Sequence, residues 1–111
     1  MRHFEHIAAL IKRKRLAHPR NLSQSDLSHL LGYKNGQFIS NVERALCNIP
    51  FKMLPKVCEV LDISKDDIKN AMMQDHSDTL DVYLNGPIPE VENPLDVASS
   101  LLSERTLDNH Q

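Results

Sequence analysis

LSQSDLSHLLGYKNGQFISNVE, residues 22–43, decides how the rest of the chain is read. Ser23 followed three residues later by Asp26 is a short form of the capping box, in which a hydroxyl and a carboxylate satisfy orphan N–H groups at a helix start. Leu27, Leu30 and Leu31 then share one helical face, and Gly32 ends that helix where a left-handed backbone is favourable only for glycine. Asn35 is a good cap for a further helix over 36–45 that buries Phe38, Ile39 and Val42. Two short helices joined by a glycine turn describe a helix-turn-helix over about 23–45. Periodicity alone does not separate that motif from an ordinary helical hairpin.

Working outward, Phe4, Ile7, Ala8 and Ile11 recur at helical spacing, so 4–17 reads as an amphipathic helix with the run Lys12 to Arg15 on its outer face. Pro19 closes it. Downstream, Pro50 opens a fourth helix with Leu54, Val57, Cys58 and Leu61 inward. Pro55 fits within its first turn, where a missing N–H breaks no bond. Ser64 with Asp67 repeats the cap pattern for a fifth helix over about 65–74, burying Ile68, Ala71 and Met72. Five short helices with almost no strand signal predict an all-α domain over 1–75, followed by an extension over 76–111. The extension holds three of the six prolines and two apolar patches, 80–84 and 95–102. The first patch reads as a short strand or a continuing helix, the second as a helix of two or three turns. Both need something to pack against: the domain, a second copy of the chain, or another protein; a partly disordered tail fits the same composition equally well.

The overall charge of −2 conceals a split. Residues 1–60 hold ten Lys/Arg against four Asp/Glu, a net of +6, and residues 61–111 hold three against eleven, a net of −8. A basic module with an acidic tail is a pattern for binding a polyanion, although two solvated surfaces of opposite sign would look the same. No apolar run approaches the roughly 18 residues of a membrane span, and the start MRHFEH resembles no signal peptide, so a cytoplasmic, nucleoid-associated location is expected. Cys47 and Cys58 lack CxxC spacing and are expected as reduced thiols. His3 and His6 have helical spacing suited to a metal, but no further clustered ligand joins them, and no cofactor or metal is expected. No Ser/His/Asp order, carboxylate pair or phosphate-cradling glycine loop suggests an enzyme.

The ordered motifs Leu22 to Ser28, Leu31-Gly32, Phe38 to Arg44, Pro50 and Leu61 to Ser64 resemble the Cro/repressor-type (xenobiotic-response-element) helix-turn-helix family. The stretch Phe51 to Cys58 looks especially like the fourth helix of lambdoid phage repressors. The resemblance covers about residues 4–75. It implies a five-helix lambda-repressor-like fold and a transcriptional regulator of bacterial or phage type that binds double-stranded DNA as a homodimer. By the same resemblance, Gln37, Ser40 and Asn41 fall where family members read base edges, and Gln24 where the family carries a glutamine that meets a phosphate and braces the recognition helix. Ser23, Lys34, Asn35, Arg44 and Asn48 are expected to meet phosphate or support the helix, and Arg15 and Glu43 match an internal arginine–glutamate pair. Two departures stand out: Gly36 replaces a polar base-reading residue and Ala45 the usual glycine after the recognition helix. The step from Gly32 to Ile39 is also one residue longer than the family's common spacing. An antitoxin-like autorepressor whose tail binds a protein partner is the alternative expectation.

Overall fold

A computed structural model of the protein describes residues 3–89. Among these, all regular structure is helical: α1 (Glu5–Leu16), α2 (Gln24–Leu30), α3 (Gln37–Glu43), one 3₁₀ turn (Phe51–Met53) running into α4 (Leu54–Leu61), and α5 (Lys65–Leu84). The apolar patch at 95–102 lies outside the described residues.

Local chemistry sets most of the boundaries. Ser23 Oγ accepts the Asp26 N–H at 2.9 Å while Asp26 Oδ2 accepts the Ser23 N–H at 3.0 Å, so the reciprocal cap is complete. Ser64 Oγ accepts the Asp67 N–H at 3.0 Å at the start of α5. Pro55 occupies the first turn of α4, where its ring obstructs no carbonyl. One apolar cluster joins α1, α2, α3, α4 and the start of α5, with Ile7, Ile11, Leu27, Ile39, Val42, Ile49 and Val57 at its centre. Each such side chain, taken fully out of water, contributes about 1.5–3 kcal/mol before entropy is charged against it.

Three sequence expectations change. Leu30 is 40% exposed, and Ser28, two residues earlier in α2, is fully buried in its place. Its small side chain lets the helices approach, and its Oγ accepts the Ile39 N–H at 3.3 Å. The third helix begins at Gln37 and ends at Glu43, inside the expected 36–45. Finally, α5 continues without a break to Leu84, so the expected boundary at 75 falls within a helix, and residues 80–84 continue that helix.

The reason for the long α5 is at the other end of the chain. No side chain of its own region caps α1. Instead buried Asp75 reaches across from α5, its two carboxylate oxygens accepting the N–H groups of His6 at 2.8 Å and Ile7 at 2.9 Å. Thr79 Oγ1 accepts the His3 N–H at 2.9 Å one turn further on. A carboxylate placed on the orphan donors of a helix start satisfies them and complements the helix dipole. The second half of α5 is thereby held along α1.

Candidate nucleic-acid interface

The turn after α2 is a Schellman motif. Tyr33 N–H donates to Ser28 O at 2.9 Å and Gly32 N–H to His29 O at 3.0 Å, with Gly32 at φ +93°. Tyr33 then stacks on Phe38, ring centroids 4.0 Å apart, and both rings pack against the core. Gly36, not the expected Asn35, holds the cap position of α3 and gives it no side-chain bond; Asn35 Oδ1 accepts the Gln37 N–H at 2.9 Å within the turn before it, while His29 Nε2 bonds Lys34 O at 2.8 Å across the turn.

Gly36 has an ordinary φ of −74° and serves packing. A Cβ there would lie 3.1 Å from Ser25 Cα and 3.2 Å from Ser25 N. Position 36 is therefore the place where α3 is pressed onto the first turn of α2.

The far end of α3 is fixed by a buried hub. Glu43 Oε2 accepts from Arg15 Nε at 2.7 Å, and Glu43 Oε1 accepts from Arg15 Nη2 at 2.9 Å and from Gln24 Nε2 at 3.1 Å. Arg15 Nη1 also donates to Leu22 O at 3.0 Å. One carboxylate thus ties α1, α2 and α3 together, with its side chain 2% exposed and that of Arg15 11%. Hydrogen bonding to Glu43 raises Arg15 above the usual guanidinium value, against burial, which lowers it. Arg15 belongs to this hub and not to the outer basic face, where Lys12 and Arg13 are exposed. Gln24 spends one N–H on Glu43 and is half-buried.

The outer face of α3 carries Gln37, Asn41 and Arg44, the last directly after the helix. Asn41 Oδ1 accepts from both Gln37 Nε2 at 2.8 Å and Arg44 Nη2 at 2.9 Å. Gln37 and Arg44 are exposed, Asn41 and Ser40 half-buried. The inner face, Ile39 and Val42, is at most 1% exposed. A second Schellman motif closes the helix: Leu46 N–H donates to Asn41 O at 2.9 Å and Ala45 N–H to Val42 O at 3.0 Å. Here the left-handed residue is Ala45, at φ +60°, where glycine would be unstrained.

The remaining expected site residues divide. Lys34 is exposed beside the start of α3, Ser23 is used as a cap, and Asn48 Oδ1 accepts its neighbour's Ile49 N–H at 2.8 Å. The structure brings Gln37, Asn41 and Arg44 into one network and Arg15, Gln24 and Glu43 into another. The sequence carries no mark of Ser28 or Asp75: Ser28 sits in a leucine-rich helix with nothing local to distinguish it, and Asp75 acts on residues 68 and 69 positions away.

Among the described residues, His6, Asp75 and Asp78 form one His/acid group, with His6 Nε2 and Asp78 Oδ2 at 3.1 Å. Both Asp75 oxygens are already engaged by backbone N–H groups, so this group ties α5 to α1. Cys47 and Cys58 are free thiols, and burial pushes both above the usual thiol range. No described helix is long and apolar enough to cross a membrane. Comparisons with protein-family models, characterised proteins and solved structures find no match to this chain.

Proposed function

We propose that the protein is a sequence-specific DNA-binding regulator that places α3 in the major groove. The observation that carries this reading is the outer face of α3: two amide side chains and a guanidinium in register on a helix whose opposite face is locked to α2 and whose end is tied to α1. A two-turn helix of this size suits the roughly 12 Å major groove, and amides are side chains that bond adenine edges there. The excess of basic residues in the first 60 positions, and the resemblance of the motif order to repressor-type helix-turn-helix domains, support the same reading.

The mechanism divides labour between positioning and reading. Lys34 at the turn and the exposed Lys12 and Arg13 supply positive charge for phosphates, a term that is independent of sequence and sensitive to salt. Gln37 and Asn41 read base edges. The hub at Glu43 and the Ser28 bond hold the helix at one rotation, so that the amides arrive in register.

Binding as a homodimer goes with this reading, since one such helix covers one half-site and two half-sites lie about 34 Å apart. The surface proposed for it is α5, where Met73, Leu80, Tyr83 and Leu84 are exposed. Beside them lies an apolar groove of about 840 Å³ lined by residues that include Leu54, Ile68, Met72 and Leu80. Sedimentation of Leu80→Glu tests it: an unchanged dimer would defeat the assignment.

The test of base reading compares an operator, selected from random duplexes, with unrelated DNA. Gln37→Ala and Asn41→Ala should weaken operator binding by about 1–3 kcal/mol each and leave unrelated DNA nearly unaffected. Lys34→Ala should weaken both and reduce the salt slope by about one. Equal losses on every sequence from the amide variants would remove the assignment.

A further inference from the structure

Arg44 and Gln37 both donate to the one oxygen of Asn41. An amide side chain has a donor end and an acceptor end that are nearly alike in shape, so its polarity is set by its neighbours. A guanidinium has donors only. The Asn41 atom 2.9 Å from Arg44 Nη2 must therefore be the oxygen, since the opposite orientation sets donor against donor. That same oxygen lies 2.8 Å from Gln37, so the Gln37 atom facing it must be the amide nitrogen. A single cation thus fixes both orientations in sequence along the helix. The two bonds leave over the Gln37 oxygen, which accepts, and the Asn41 nitrogen, which donates.

We infer that Arg44 is a specificity-setting residue, and that through it Gln37 selects a base carrying an exocyclic amino group and rejects a keto base. This rests on the reading of α3 as the base-contacting helix. In the major groove, adenine N6 and cytosine N4 are donors that the Gln37 oxygen can accept, whereas guanine O6 and thymine O4 are acceptors that would face it oxygen to oxygen. The remaining Asn41 nitrogen, one helical turn further along, complements an acceptor such as adenine N7. Without Arg44 the pair can invert, Asn41 donating to Gln37, and the remaining end of Gln37 becomes a donor suited to the keto bases. A residue that only touched phosphate would have no such effect, because phosphate contacts carry no sequence information.

Two measurements on the full chain test this. In the DNA-free protein, side-chain amide signals of Gln37 and Asn41 followed by NMR should shift together in Arg44→Met and stay near their wild-type positions in Arg44→Lys, which keeps a donor-only group. Unmoved amide signals in Arg44→Met would overturn the polarity assignment whether or not DNA is bound. In selection from random duplexes, positions that relax in Gln37→Ala should hold an amino base by about tenfold over a keto base in the wild type and in Arg44→Lys. In Arg44→Met the preference should fall to about twofold or less, beyond any uniform loss of affinity. A keto base at those positions, or an undiminished preference in Arg44→Met, would overturn the inference. Selection of no sequence at all by the wild type would overturn the proposed function and the base assignment with it, while the NMR result still judges the amide polarity.

Discussion

Replacing Glu43 by Gln leaves its shape and removes its charge. The carboxylate takes three N–H groups, Arg15 Nε on one oxygen and Arg15 Nη2 and Gln24 Nε2 on the other. A carboxamide has one oxygen, so whichever way it turns, its own NH₂ meets at least one of those donors. The least disruptive orientation keeps the shared oxygen and loses the 2.7 Å bond to Arg15 Nε. A hydrogen bond to a charged group contributes about 1.5–3 kcal/mol, and stranding a buried ion costs about 3–5 kcal/mol in all. Arg15 retains 11% side-chain exposure, which lets water recover part of that and places the expected loss near 3 kcal/mol. Against a total of about 5–15 kcal/mol for a small domain, such a loss is large. Urea unfolding followed by circular dichroism would show it as a fall in midpoint of about 2–3 M, for a slope near 1 kcal/mol per M. The double variant Arg15→Met/Glu43→Leu, which removes both charges, should be closer to wild type than either single variant. A loss below about 1 kcal/mol for Glu43→Gln, the range of a solvated surface pair, would refute the hub, as would simple additivity in the double variant.

Ala45→Gly should stabilise by about 0.5–1 kcal/mol, because relief of the left-handed alanine exceeds the added chain entropy, and thermal unfolding should report a rise of a few degrees. Gly36→Ala should do the opposite, by about 1–2 kcal/mol, since a Cβ 3.1 Å from backbone atoms of Ser25 has nowhere to go; an unchanged melting temperature would contradict the close approach. Asp26 is held below its ordinary value of 3.8, first by the Ser23 N–H and then by the Ser23 hydroxyl. A lowered folded-state value means stabilisation that is present above 3.8 and is lost as pH falls through the lower folded value, so Asp26→Asn should reduce the acid dependence of stability in that window.

What could be read from sequence was what acts over three or four residues. The caps at Ser23 and Ser64, the glycine stop at position 32 and the buried Ile7, Ile11, Leu27 and Leu31 all depend on near neighbours, and each is where the pattern puts it. Contacts between distant elements left weaker traces. Leu30 and Ser28 exchange roles because α3 approaches α2 from one side, a direction that the leucine pattern does not contain. The length of α5 depends on Asp75 and Thr79 meeting the start of α1, some seventy positions away, and an aspartate in an acidic stretch looks like any solvated carboxylate. The Arg15–Glu43 pairing follows from resemblance and not from spacing, since the two lie 28 positions apart with no local pattern to link them.

The turn between α2 and α3 shows how local and distant contacts combine. An additional residue in a turn would ordinarily rotate the following helix and send its outer side chains elsewhere. Here the rotation of α3 is set from outside the turn, by the Ile39 N–H on Ser28, by Glu43 on Arg15 and Gln24, and by Ile39 and Val42 in the core. The turn has only to deliver the chain to Gln37, and it does so with Asn35 accepting the Gln37 N–H while Gly36, lacking a Cβ, passes close to Ser25. Gln37, Asn41 and Arg44 therefore keep a common outer face because the inner face is fixed. Loosening the hub should disturb the amide face more than altering the exposed residues of the turn.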